Sequence, residues 1–335
     1  MFWILFISCM IAFVTTYLII KKFIVFFENI GLVGYDINKP KKNQVAEMGG
    51  VPVVFGFMIA VLFFVGFEIF VYGNSQYNIL FPALLTTIII VFIYMLDDLT
   101  AILKGKDDKK DFVKKQGFSQ KHKFLFPLIA AIPIMSAKIG TSTMVLPIIG
   151  EINLGIIYPL FVVPIGILGA SNAVNMLAGI NGIEAGVGLV SIFSLSVFAY
   201  LNSSIVAASF GFIFCACLLA FLTYNWFPAR LFPGDSLTYM TGAIIAIIAI
   251  TGNIEKFALF IFPLWFIELG LKLRSKLKAE SFGKLNKKGY LERPYKKIYS
   301  ITHIFMDGKT TESKIVAKII LIQIFICIFA FIISI

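Results

Sequence analysis

Asp97 and Asp98 close the apolar run Tyr94-Met95-Leu96, which places two adjacent carboxylates where a helix is expected to leave apolar surroundings. Like charges side by side at a helix C-terminus repel each other and the negative end of the dipole. Both effects oppose ionisation unless a cation or metal compensates, so the pair costs energy that a site would explain. Two solvated residues at a helix exit are the plainer alternative. The stretch from Gly169 to Gly186 is more informative, because it sets three asparagines and four glycines between two apolar segments. Asn172, Asn175 and Asn181 offer neutral amides that ligate a hard cation through oxygen. Gly179 and Gly182 permit close backbone approach. Further on, Leu231-Phe232-Pro233-Gly234-Asp235-Ser236 leads into an apolar segment, with Asp235 or Ser236 placed to act as an N-cap. Asp235 shares its side of the chain with Asp97, Asp98 and the asparagine stretch. Together these supply the one or two carboxylates that Mg²⁺ takes beside phosphate oxygens.

Two other polar stretches lie on the same side. Asp36-Ile37-Asn38-Lys39-Pro40 runs on to Val45-Ala46-Glu47-Met48-Gly49-Gly50, and linker polarity accounts for it as readily as a role for Glu47. The longest loop, Lys272 to Lys314, carries Arg274, Arg293 and His303. Most of it reads as solvated surface, although an arginine fork suits phosphate better than a lysine does.

The elements that must hold these residues are apolar helices. Of 335 residues, 59% are hydrophobic and 14% charged, a balance suited to lipid rather than water. Ten segments approach the roughly 20 apolar residues a spanning helix needs: about 2–20, 51–72, 79–96, 124–139, 155–173, 185–201, 205–224, 236–251, 257–273 and 315–335. The first has no basic residue before it and no small-residue cleavage site, so it reads as a retained span rather than a signal peptide. With the N-terminus outside, 26 of the 29 basic residues fall in cytoplasmic loops, leaving Lys138, Lys256 and Lys318 elsewhere. This positive-inside bias explains the net charge of +11 without nucleic acid. The outer loops are short, and the Val/Leu/Pro/Ile pattern around Gly150 in the 141–153 loop predicts a small external β-hairpin. Cys9, Cys215, Cys217 and Cys327 sit in apolar segments without ligand spacing and read as small hydrophobes. The fold class is an all-α integral membrane protein, one polytopic domain over 1–335. A secondary transporter or lipid-linked sugar flippase is the rival of another class. Such proteins place polar groups at membrane depth, whereas here only Glu68 and Glu268 lie in or near spans.

Taken in order, Asp36-Ile-Asn-Lys39, Ala46-Glu-Met-Gly-Gly50, Leu96-Asp-Asp-Leu99, His122-Lys-Phe-Leu125, Asn172-Ala-Val-Asn175 through Gly186, and Phe232-Pro-Gly-Asp235 resemble the polyprenyl-phosphate N-acetylhexosamine-1-phosphate transferases. The resemblance covers nearly the whole chain. It implies ten helices, both termini outside, a cytoplasmic active site, and transfer of a sugar-1-phosphate from a UDP-N-acetylhexosamine to dolichyl or polyprenyl phosphate with release of UMP. It also implies Mg²⁺, with Mn²⁺ as a substitute, held by Asn175 and Asp235. Asp97 and Asp98 match the catalytic pair, and Lys123 matches a lysine on the donor diphosphate. Asn181 and Phe232 match uracil-binding positions, Glu47 a residue near the sugar, and Arg293 and His303 contacts to phosphate or the N-acetyl group. A homodimer is compatible with the resemblance.

Asn175-Met-Leu-Ala-Gly-Ile-Asn181-Gly-Ile-Glu-Ala-Gly186 is similar to the archaeal and eukaryotic branch, which starts lipid-linked glycan assembly for N-glycosylation with UDP-GlcNAc and dolichyl phosphate. The bacterial phospho-MurNAc-pentapeptide branch has aspartates where this chain has Ala178 and Asn181, and a histidine cluster where it has His303. The eukaryotic enzyme has an arginine and histidine motif that Ser300-Ile-Thr-His303 does not reproduce, so the archaeal type fits best.

Overall fold

The computed structural model describes residues 2–39, 43–105, 117–146 and 150–334. The chain is mainly helical: α1 (Phe2–Ile30), α2 (Gly50–Phe70), α3 (Leu80–Gly105), α4 (Gln120–Leu125), α5 (Pro127–Ala130), α6 (Ile132–Ser136), α7 (Val163–Met176), α8 (Ile183–Leu201), α9 (Ile205–Asn225), α10 (Gly234–Gly252), α11 (Glu255–Phe260), α12 (Pro263–Leu273), α13 (Ile301–Phe305) and α14 (Glu312–Ser334). Three short antiparallel pairs decorate it: β1 (Val33–Tyr35) with β2 (Gln44–Ala46), β3 (Thr143–Leu146) with β4 (Gly150–Asn153), and β5 (Lys284–Leu285) with β6 (Leu291–Glu292). The expected hairpin is the β3–β4 pair, in register Thr143 with Asn153. Its turn, 147–149, lies outside the described residues.

Among the described residues eight helices are long and apolar enough to cross a membrane, and the protein is a multi-pass membrane protein. The two remaining expected spans, 124–139 and 257–273, are helical but broken. Pro127 opens α5, Pro133 lies in the first turn of α6, and Pro263 opens α12. A proline has no N–H for the preceding turn and its ring clashes with that turn's carbonyl, so each break falls where the sequence puts a proline. In lipid the freed groups need new partners. The Ile261 carbonyl, at the second break, accepts from the Gln323 side chain of α14 at 3.0 Å.

α10 forms the centre, buried along nearly its whole length against α7, α3, α8, α9 and α2. Small residues allow this. A methyl added at Gly242 would lie 2.5 Å from Ser171 Cα on α7, so the two backbones meet where neither carries bulk. Buried hydroxyls such as Ser191 and Thr241 donate back to their own helices, at 2.8 Å to the Val187 and Leu237 carbonyls. Large apolar side chains, among them Trp3, Phe63, Phe161 and Phe325, are exposed around the outside, where lipid is their solvent.

Candidate active site

The chain passes up and down so that the C-terminal ends of α1, α3, α7, α9 and α12 gather with the N-terminal ends of α2, α8, α10 and α14. Every candidate site residue lies at this end. The first difference from the sequence reading concerns the paired aspartates. They do not terminate their helix: α3 continues through Leu99 and Ala101 to Gly105, because that continuation has no breaker. Asp97 and Asp98 are therefore oriented like any two successive helical residues, about 100° apart around the axis, and they serve different partners.

Asp98 accepts from the backbone N–H groups of Asp235 at 3.2 Å and Ser236 at 3.3 Å. It thus supplies from α3 the anion that the first turn of α10 requires. Neither Asp235 nor Ser236 is the N-cap, as the sequence suggested; Pro233 occupies that position and offers no side-chain acceptor. Asp97 is 1% exposed. One of its oxygens accepts from the Phe118 N–H and the other pairs with the Lys123 ammonium. The same ammonium lies 2.9 Å from Asp235 Oδ2. Burial works against the charge on Lys123, yet Asp235 and Asp97 outweigh it and hold the lysine above its usual range. Its backbone is fixed as well: the Tyr94 hydroxyl donates to the Lys123 carbonyl at 2.6 Å, and the Tyr94 ring stacks on Tyr239 of α10 with centroids 3.6 Å apart.

Ligand oxygens of Asp97, Asp98 and Asp235 all lie within 4.8 Å of one another. Three carboxylates facing one lysine leave an excess of negative charge, and hard oxygen donors of this kind suit a divalent cation. Asn175, on the last turn of α7, presents its amide oxygen next to the cluster, where it accepts from the Thr238 hydroxyl at 2.7 Å.

Beside the cluster opens a cavity of about 630 Å³, lined among others by Glu47, Asn175, Asn181, Phe232 and Asp235. The β1–β2 hairpin positions two of these. The Phe232 N–H donates to the Ala46 carbonyl at 2.8 Å and the Gly49 N–H to the Phe232 carbonyl at 2.9 Å, which stitches the residues on either side of Glu47 to the approach of α10. Asn181 is nearly buried, its side-chain amide donating to Asp36 at 2.9 Å and its backbone N–H to Glu312 at 3.0 Å.

Residues 80–253 match glycosyl transferase family 4. A protein of Sulfolobus acidocaldarius, provisionally named a UDP-N-acetylglucosamine–dolichyl-phosphate N-acetylglucosaminephosphotransferase, is 32% identical over 96% of this chain and 94% of its own. This chain belongs to glycosyl transferase family 4. The Dictyostelium discoideum protein of the same name, without that qualification, is 26% identical over 74% of this chain and 66% of its own. A Clostridium perfringens phospho-N-acetylmuramoyl-pentapeptide-transferase is 29% identical over 87% of this chain and 84% of its own.

Sequence reasoning weighed Asp36-Ile-Asn-Lys39 against linker polarity and gave no role to Glu184 or Asn225, yet in this family 4 chain each of them has a definite partner. Lys39 bridges Glu312 at 2.8 Å and Asp36 at 3.3 Å, and Asn38 donates to the Gly179 carbonyl at 3.2 Å. Asn225 accepts from the Gly182 N–H at 3.0 Å and donates to the Leu231 carbonyl at 2.9 Å. Glu184 accepts from the Gly179 N–H at 2.9 Å. The signal was present in Asp36-Ile-Asn-Lys39, an acid, an amide and a base in four residues, but its partners are distant in sequence.

Arg293 and His303 do not line the cavity. The last loop folds on its own frame, because Glu268 of α12 accepts from Ile301 N–H at 2.7 Å and Ser300 Oγ at 3.1 Å, anchoring α13. His303 is fully buried there, its ring 5.6 Å from that of Tyr295. Burial and the neighbouring Lys272 hold the imidazole below its ordinary pKa. Arg293 is exposed beyond it. The loop reaches the cavity instead through Phe282, which lines it, and Gly283, whose N–H donates to Asn38 Oδ1 at 3.2 Å.

A second hollow, about 1210 Å³, runs as a groove between α7, α10 and the broken α4 and α11–α12 stretches. Lys121, Asn172 and Lys272 stand at its site end and Glu255 at the other, with walls such as Ile165, Ala246 and Trp265. Along α10 it extends from Tyr239 to Ile250, roughly 16 Å at the helical rise and about half the hydrocarbon thickness of a bilayer. Asn175 lines both hollows.

Proposed function

We propose that this protein transfers N-acetylglucosamine-1-phosphate from UDP-N-acetylglucosamine to a dolichyl or related polyprenyl phosphate, releasing UMP. The observation that carries the reading is the meeting at Asn175 of a cavity lined by several carboxylates and amides with a long apolar groove, beside three carboxylates and Lys123. A water-soluble nucleotide sugar suits the first and an isoprenoid chain the second. The site end then faces the cytoplasm, where the basic loops are expected, and the termini lie on the opposite side.

In the reaction an oxygen of the acceptor phosphate attacks the phosphorus that carries the sugar. The bond from that phosphorus to the bridging oxygen breaks, and UMP departs with the bridging oxygen. Both reactants are anionic, so repulsion is the first barrier. Lys123 offsets it at the diphosphate. Asn175 and Asp235 would hold Mg²⁺, for which Mn²⁺ could substitute, and the bound ion would supply charge neutralisation at the phosphate oxygens and the departing UMP. Phe232 stacks on uracil and Asn181 reads its edge, while Glu47 lies toward the sugar. Asp98 keeps α10, and with it Asp235, in place. Asp97 shares Lys123 and keeps the acceptor phosphate ionised and in line.

The test is purified protein in detergent with UDP-N-acetylglucosamine and dolichyl phosphate, following UMP and the lipid product. UMP is expected one for one with a lipid-linked sugar diphosphate, and added UMP is expected to reverse the reaction, since one phosphoanhydride replaces another. UMP without lipid product, or uptake of the intact nucleotide sugar into vesicles, would overturn the reading.

A further inference from the structure

Glu47 stands just beyond β2 and lines the cavity, its side chain passing over the neighbouring strand β1. What lies under it is Gly34, the middle residue of β1, paired with Val45 and buried. Its backbone lies outside the left-handed region, so conformation does not demand a glycine here. Space does. A methyl at Gly34 would meet three atoms of one side chain before any other: the Glu47 carboxylate oxygen, its Cδ at 2.7 Å and its Cγ at 3.2 Å. The carboxylate rests on the bare backbone of β1.

The arrangement recurs around the cluster. A methyl at Gly117 would fall 2.8 Å from Asp97 Cγ, and one at Gly234 would fall 2.5 Å from Asp98 Oδ2. Three acids in this end of the bundle are thus each seated against a glycine from a different segment. A glutamate carboxylate on two methylenes has many rotamers, and the bare backbone at Gly34 leaves open the one that a methyl there would exclude.

We propose that Gly34 is a positioning residue, whose missing side chain is the seat that aims the Glu47 carboxylate into the nucleotide-sugar cavity. Its functional half rests on the transferase reading above, with Glu47 on the sugar side. Alanine in place of a strand glycine ordinarily stabilises, because it has less backbone entropy to lose. At Gly34 the opposite sign is expected, and only while Glu47 is present.

The experiment is a double-mutant cycle in the full-length protein in detergent: Gly34→Ala, Glu47→Ala and the two combined, read by thermal midpoint and by steady-state transfer from UDP-N-acetylglucosamine. Gly34→Ala is expected to lower the midpoint and to reduce kcat about tenfold or more, with KM for the nucleotide sugar within about twofold, since a displacement near 1 Å is enough for such a loss. In the Glu47→Ala background the same alanine should cost nothing further in either measure. Losses that multiply in the double variant, or a Gly34→Ala protein with wild-type kcat, overturn the proposal. If Gly34→Ala alone cannot be purified folded, the combined variant must recover folded protein, and its failure to do so overturns the proposal equally. The thermal arm is independent of the chemistry, so an absence of transfer in the wild type would refute the transferase reading while the seat still stands or falls on the midpoints.

Discussion

At Lys123 two carboxylates and a buried position act in opposite directions on one ammonium group, and the carboxylates prevail. A lysine whose pKa is raised on folding adds stability in full below its ordinary 10.5, and that contribution fades only as pH climbs through the higher folded value. Lys123 therefore stays charged throughout the working range. Its replacement by alanine should depress turnover at least about 100-fold, and the wild-type rate should show no alkaline limb from this residue between about pH 6 and 9. Asp235→Ala and Asn175→Ala should cost comparable factors while leaving the thermal midpoint nearly unchanged, and excess chelator should abolish activity in the wild type. Full turnover in chelator would sink the metal assignment. His303 gives the reverse sign. Its imidazole is kept neutral in the fold, so stability is full above about its ordinary 6.5 and falls as pH drops from there toward the depressed folded value. Thermal midpoints measured from pH 7.5 down to 5.5 should decline less steeply in His303→Gln than in the wild type. At this scale the sequence was informative about residue types and silent about partners. Adjacent aspartates, clustered asparagines and the Pro-Gly-Asp turn marked the end of the molecule at which the carboxylate cluster and the cavity lie. That Asp98 would cap a helix beginning 136 residues later follows only from the packing of α3 against α10.

Among the elements, the long helices were readable because lipid imposes one simple demand, an unbroken apolar run. The expected spans 124–139 and 257–273 were readable as apolar but not as broken, although Pro127, Pro133 and Pro263 stood in view; what a break does depends on whether a neighbour such as Gln323 can take the freed carbonyl. These breaks have a use, for both stretches flank the groove. Two glycines of α7, Gly166 and Gly169, also line it, and a β-carbon added at either meets nothing within 4 Å. Gly169→Phe should therefore fill the groove without straining the helix, and should stabilise α7 slightly if it changes stability at all. The expected result is a several-fold higher KM for the polyprenyl phosphate with an unchanged KM for the nucleotide sugar. Equal effects on both substrates would argue against the groove as the acceptor's path.

For the whole molecule, the distribution of charge predicts its orientation. A tag at either terminus and a single cysteine replacing the exposed Lys288, between β5 and β6, should be reached by impermeant reagents from opposite sides of sealed vesicles. Labelling of both from one side would overturn the ten-span arrangement. The groove has exposed rims, Phe161, Ile165 and Phe266, and on the proposed function an acceptor would enter it sideways from the bilayer rather than from water. For such a substrate, molarity is the wrong measure. What would set the rate is how many acceptor molecules share each patch of surrounding lipid. Diluting the acceptor with inert phospholipid, at constant total amount and volume, should slow the reaction as though substrate had been removed. The dependence on nucleotide sugar, which arrives in three dimensions, should keep the same half-saturation point throughout.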